Sequence, residues 1–146
     1  MHRHRALAPF SSDHHLALAK AWEARLAARS GEVHAVNETY RSLRHWAASA
    51  LGWHMYAEET LLVPLLSRLG AITLAERLEE EHSAIVHLLH PGIDGPSSLG
   101  RLGELLASHV RFEEDEVLPW LEEHLTAQEL EVVETRLHAQ QAAPPH

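Results

Sequence analysis

Apolar residues along this chain recur three and four positions apart, and no stretch shows the alternation of a half-buried strand bounded by hairpin turns. Proline and glycine fall almost entirely at the breaks between periodic runs. Four long helices and a shorter fifth are predicted. The first starts near Ser11 and Ser12 and runs to about Arg29, with Gly31 supplying a left-handed cap. The second begins between Glu32 and Glu38 and continues to Leu69, stopped by Gly70; Pro64 lies inside it, so a kink or a break is expected there. Thr73-Leu74-Ala75-Glu76 reads as a capping box opening the third, which ends at His90-Pro91-Gly92. Ser97 or Ser98 caps a fourth helix running to about Glu123. A second capping box, Thr126-Ala127-Gln128-Glu129, opens the fifth, and the last residues read as a frayed tail. Long helices with short connections predict an all-α fold, an up-down-up-down four-helix bundle with a short fifth C-terminal helix. One domain is expected over residues 1–146, with the bundle at about 11–124 and the appended helix at about 126–140.

One phrase is repeated. His54-x3-Glu58-Glu59-x4-Pro64-x-Leu66 recurs as His109-x3-Glu113-Glu114-x4-Pro119-x-Leu121, at an offset of 55 residues. The second and fourth helices therefore carry the same chemical groups in the same order.

Residues three, four and seven apart share a helical face, so the wheel decides which polar groups point inward. His82 belongs to the stripe Leu74, Leu78, Ile85 and Leu89. His109 follows Leu102, Leu105 and Leu106, and His54 sits with Ala50, Leu51, Ala57, Leu61 and Leu62. On the first helix two histidines compete. His15 lines up with Leu18, Trp22 and Leu26; His14 lines up with Phe10, Ala17, Leu18 and Ala21. The bulkier stripe favours His15. Trp22 lies seven after His15, Trp46 eight before His54 and Trp120 seven after Glu113, and these aromatics are expected to wall the site. His34, His45, His87 and His90 fall off the stripes, although His87 or His14 is placed to serve as an outer partner. Glu59 and Glu114, rotated off the face, read as solvated or as outer partners.

A lone histidine on an apolar face is usually a core residue bonded to a carbonyl, and a lone His-x3-Glu is usually a surface pair. Here all four main helices present an inward histidine and two add an inward glutamate one turn later. Six polar groups left unpaired in one core would cost roughly 1–3 kcal/mol each. A metal centre satisfies all six together.

Composition narrows the chemistry. The chain has 14 histidines and no cysteine among its 146 residues, which excludes disulfides, thiolate ligands and a cysteine nucleophile. A formal charge of −9 argues against a nucleic-acid partner, and no apolar run approaches a membrane span. The opening MHRHRALAPFSSD has no continuous apolar core for export, so a cytoplasmic protein is expected. No Gly-rich phosphate loop, Ser-His-acid arrangement on a suitable turn or HExxH helix is present. Imidazole with carboxylate and no sulfur suits iron, manganese or zinc. Four histidines are too many for one open mononuclear site; divided between two ions they give two each, with Glu58 and Glu113 able to bridge. Open positions then remain for a small molecule such as O2.

The sequence Asp13-His14-His15, His54-x3-Glu58-Glu59, Glu80-Glu81-His82 and His109-x3-Glu113-Glu114 resembles the hemerythrin-like, or HHE cation-binding, family over roughly residues 10–122. That resemblance implies a four-helix bundle holding two non-haem iron ions. His15, His54, His82 and His109 would be nitrogen ligands, with Glu58 and Glu113 bridging. One position departs from the oxygen-carrying members: four past His82, where they have a second histidine, this chain has Val86. Either another side chain such as His14 replaces that ligand or the metals are more open. The expected function is therefore binding of O2, peroxide or nitric oxide for sensing, storage or detoxification, by a binding or redox protein rather than a dedicated enzyme. The alternative is a non-redox metal-binding or iron-sensing module. A third, metal-free helical interaction module would be indifferent to loss of His54 and His109.

Overall fold

The computed structural model describes residues 3–142. After a single-turn helix Ala8–Ser12, the first long helix spans His14–Ser30. The second is one unbroken run made of Val33–Trp46, Ala47–Leu51, Gly52–Ala57, Glu58–Leu62 and Val63–Arg68. The third is Ile72–Leu89, and the fourth joins Pro96–Phe112, Glu113–Val117 and Leu118–His124. The fifth is Ala127–Ala142. No strand occurs among the described residues, and none of their helices is long and apolar enough to cross a membrane. Most of the expected frayed tail lies outside the described residues.

Helix ends follow local chemistry, in two places differently from expectation. Gly31, at φ 63°, closes the first helix as predicted. Glu32 caps the second, its carboxylate accepting from the amides of His34 and Ala35. The Thr126 box forms in full: the Glu129 amide donates to Thr126 Oγ1 at 3.1 Å and the Thr126 amide to Glu129 Oε1 at 2.9 Å. The Thr73 box does not form, because the third helix begins a residue earlier at Ile72, after Ala71. Nor do Ser97 and Ser98 cap the fourth helix; it starts at Pro96, whose missing N–H is an orphan at that position anyway, behind Gly95 at φ 92°.

Neither proline breaks its helix. The Val63 amide donates five residues back to the Glu58 carbonyl, and the Leu118 amide does the same to Glu113. A widened, π-type turn thus precedes each proline and absorbs the donor and the space that its ring denies to an α-turn. Both widened turns begin at an inward glutamate of the repeated phrase. A third such turn, Ala47–Leu51, ends at Gly52, where a Cβ would lie 2.7 Å from the Ala47 carbonyl oxygen.

The buried side chains form two apolar clusters. One contains Phe10, Leu61, Leu62, Leu78, Phe112 and Val117 and is completed by Leu130, Val133 and Leu137 of the fifth helix. The other contains Ala17, Ala21, Tyr40, Leu51, Ile85, Leu106 and Val110. On each of the four stretches of chain that carry the site, one cluster gives way to the other at the same kind of residue. His14 lies between Phe10 and Ala17, and His82 between Leu78 and Ile85. The pairs His54 with Glu58 and His109 with Glu113 occupy the corresponding stretches of the second and fourth helices.

The first helix packs with an alanine face, and this overturns the choice of His15. Ala17, Ala21, Ala24 and Ala27 are buried, whereas Leu18, Trp22 and Leu26 are exposed, Trp22 to 53%. The fourth helix approaches so closely that a Cβ on Gly103 would stand 2.8 Å from the Ala21 carbonyl oxygen and 3.2 Å from Ala24 Cβ. A stripe of Leu and Trp does not fit that gap. His15 shares the outward face of Leu18 and Trp22 and is exposed; His14 shares the face of Ala17 and Ala21 and is buried.

Candidate metal centre

Six polar residues are buried among the described residues: His14, His54, Glu58, His82, His109 and Glu113. The two glutamates are the most deeply enclosed, at 1% and 0% exposure. They stand one turn after His54 and His109; Glu58 meets histidines from two helices and Glu113 from three, His54 Nε2 lying 3.4 Å from its Oε1. Glu113 Oε1 lies 2.7 Å from His14 Nε2, and its Oε2 lies 2.7 Å from His109 Nε2. Glu58 Oε2 lies 2.9 Å from His54 Nε2, and its Oε1 lies 2.9 Å from His82 Nε2. Ligand atoms of His14, His54, Glu58 and Glu113 all fall within 4.8 Å of one another, and so do those of Glu58, His82, His109 and Glu113. The two groups share both carboxylates.

The donor set fits a metal better than it fits itself. His109 Nε2 and Glu113 Oε2 approach closely, yet neither has a hydrogen-bond partner of acceptable geometry. Both atoms belong to one group of buried donors close enough together to hold a metal ion. Nitrogen and oxygen donors in this mixture suit first-row divalent metals.

The opposite ring nitrogen of every histidine is also engaged. His14 Nδ1 donates to Glu114 at 2.6 Å and His54 Nδ1 to Asp13 at 3.1 Å. His82 Nδ1 donates to Glu59 at 2.8 Å and His109 Nδ1 to Glu81 at 2.7 Å. Glu114 is held in turn by Ser11 and Arg3, and Glu81 by Arg77.

These contacts determine the charge of the metal-free site. Burial alone would lower the histidine pKa values, but facing carboxylates outweigh it. The nearby carboxylate of Glu113, the hydrogen bond and charge of Glu58 and the hydrogen bond to Glu59 push His82 up to about 10. The charge of Glu113, with the hydrogen bond to Glu81, pushes His109 up to about 9. His14 and His54 rise against burial for the same kind of reason. Burial would raise Glu113, but the surrounding histidines, His109 foremost, hold it well below the usual carboxylate range.

Five of the six positions expected from the sequence converge here: His54, Glu58, His82, His109 and Glu113. His15 does not, and His14 takes its place. Val86 is 54% exposed, on the outer side of the third helix, while Ile85 is buried. Among the described residues, each group contains two histidines and the shared glutamates, with no further histidine. Of the three tryptophans expected to wall the site, Trp46 stands by it, in the wall of a cavity beside His14 and His54. Trp22 faces outward, and Trp120 stacks on His124 with ring centroids 3.9 Å apart. His87 is exposed. Sequence reading left Asp13 and Glu81 without a role, although each directly precedes an inward histidine, a signal in plain view.

Helices here meet around buried, convergent imidazoles and carboxylates that could hold a metal ion. Compared with known families, residues 10–121 match the Hemerythrin HHE cation binding domain, and the chain belongs to that family. No curated protein and no solved structure matches it.

Proposed function

We propose that this chain is a non-haem di-iron protein that binds O2 or a related small oxidant, peroxide or nitric oxide, for sensing, storage or detoxification. His14 and His54 would hold one ion, His82 and His109 the other, and Glu58 and Glu113 would bridge them. With two imidazoles and shared carboxylates, each ion would keep open positions. When bound, the iron pair would supply the electrons with which such a molecule is held or reduced. Manganese or zinc is compatible with the same donors. The short connections between the long helices support an up-down-up-down bundle forming one domain.

The observation that carries the small-molecule reading is a cavity of about 40 Å3 against His14, His54 and His109. Its walls are chiefly apolar, including Leu51, Leu106, Val110 and Trp46. One water needs roughly 10–15 Å3 by this kind of measure, so the space suits a molecule of two or three heavy atoms. Apolar walls favour a small uncharged guest over water and limit water access to the ligand atoms.

The test is anaerobic loading with ferrous iron followed by exposure to air. The expected result is a new visible absorption band that forms on exposure and requires both His54 and His109. Bound iron with a spectrum indifferent to air would overturn the reading and favour the non-redox metal-binding alternative.

A further inference from the structure

We propose that Asp13, Glu59, Glu81 and Glu114 are the positioning residues of this centre, each setting the ring of one histidine so that its Nε2 points inward. The inference rests on the metal-binding reading above and adds residues that the six ligand positions do not include. Four independent contacts support it, one per histidine and all on Nδ1, between 2.6 and 3.1 Å. A carboxylate on Nδ1 fixes the ring's orientation, keeps the proton on that nitrogen and leaves Nε2 as the donor, which raises ligand basicity.

The pattern of partners is not random. The first two long helices supply Asp13-His14 and His54-x3-Glu58-Glu59; the third and fourth supply Glu81-His82 and His109-x3-Glu113-Glu114. Asp13 and Glu81 each reach the histidine of the following helix in the same half. Glu59 and Glu114 each reach across, to His82 and His14 of the other half. The inner carboxylates repeat the same exchange: Glu58 meets His54 of its own half and His82 of the other, and Glu113 meets His109 and His14. Each Glu-Glu pair thus places one carboxylate between the histidines and the next on the outside of a ring from the opposite half. The site has an approximate two-fold arrangement, and each half orients a ligand of the other.

The two halves differ in how firmly the outer carboxylates are held. Glu81 and Glu114 have arginine partners, Arg77 and Arg3. Among the described residues, Asp13 and Glu59 have no side-chain hydrogen bond or ion pair other than the one to histidine. They are also largely solvent-facing, with side chains 63% and 46% exposed. Removing either one therefore changes the ring it orients and little else.

The experiment compares Glu59→Ala, Glu59→Gln, Asp13→Ala and Asp13→Asn with the unaltered full chain. Zinc(II) affinity is read by competition with a chromophoric chelator, and melting temperature is read on the metal-free proteins. Loss of such an outer partner typically weakens metal binding 10–100-fold. The alanine variants are expected to lose affinity in that range without a matching fall in metal-free melting temperature. Gln and Asn, which still accept from Nδ1, are expected to recover most of it. Alanine variants that bind zinc as tightly as the unaltered chain would overturn the proposal. So would losses that track the melting temperature and are not recovered by the amides, since the role would then be general support of the fold. If the unaltered chain binds no zinc at all, the metal-binding reading itself fails, a result distinct from either of these.

Discussion

Small residues decide the geometry of the centre as much as its ligands do. Gly103 lets the fourth helix approach the first until backbone and alanine side chains touch, and that approach turns His14 rather than His15 inward. Ala at position 103 would gain about 1 kcal/mol of helix propensity. Its Cβ would, however, press on the Ala21 carbonyl oxygen at 2.8 Å, a backbone atom that moves only with its helix. Overpacking of this kind costs typically 1–3 kcal/mol. Gly103→Ala is therefore expected to lower unfolding stability, by up to about 2 kcal/mol, in denaturant titration. Gly100→Ala, where the nearest contact is Ala28 Cβ at 3.4 Å, should be neutral or stabilising. Equal effects at the two positions would contradict the close approach. This is also where the sequence misled: Leu18, Trp22 and Leu26 make the more hydrophobic stripe, but burial on a close-packed helix follows size as well as polarity. His54, Glu58, His82, His109 and Glu113 were legible because their helices bury large aliphatic neighbours, so the ordinary wheel argument applies.

Elements were readable where punctuation was strong. Gly31 and the Thr126–Glu129 box end and begin helices as their chemistry dictates. The Thr73 box was less informative because the third helix starts one residue before it, so its threonine lies inside the first turn. The two prolines carried a signal that was read only in part. A proline in a helix predicts disturbance, but its form, a widened turn that keeps the helix continuous, depends on what the previous turn can do. Here Glu58 and Glu113 open those turns, with their carbonyls accepting from Val63 and Leu118. The repeated Glu-Glu-x4-Pro phrase is thus one structural device used twice: it sets the inner carboxylate and, one residue later, an outer one. The wheel could not separate the roles of Glu59 and Glu114 from solvated charge, because their partners belong to other helices.

At the scale of the molecule, a polar layer lies between two apolar clusters. Without metal, that layer is held by proton-bearing histidines facing carboxylates. A histidine whose folded pKa exceeds its unfolded value of about 6.5 contributes stability that is full below that value. The contribution is lost as pH rises through the folded values, about 9 for His109 and about 10 for His82. The lowered carboxylates Glu81, Glu113 and Glu114 act in the opposite sense: their contribution is present above the usual carboxylate range and is lost on strong acidification. The metal-free protein is therefore expected to lose melting temperature steadily from pH 7 to 10. A metal-free melting curve flat over that interval would contradict the charge-paired core. Metal must displace those protons, so affinity should rise with pH over the same range.

The central claim is that six buried groups on four helices hold two ions per chain, and a metal count tests it most directly. After anaerobic reconstitution with ferrous iron and removal of unbound metal, elemental analysis is expected to give two irons per chain, falling below one when His54 and His109 are both replaced by alanine. Fewer than one iron per chain in the unaltered protein, or the same count in the double variant, would contradict it.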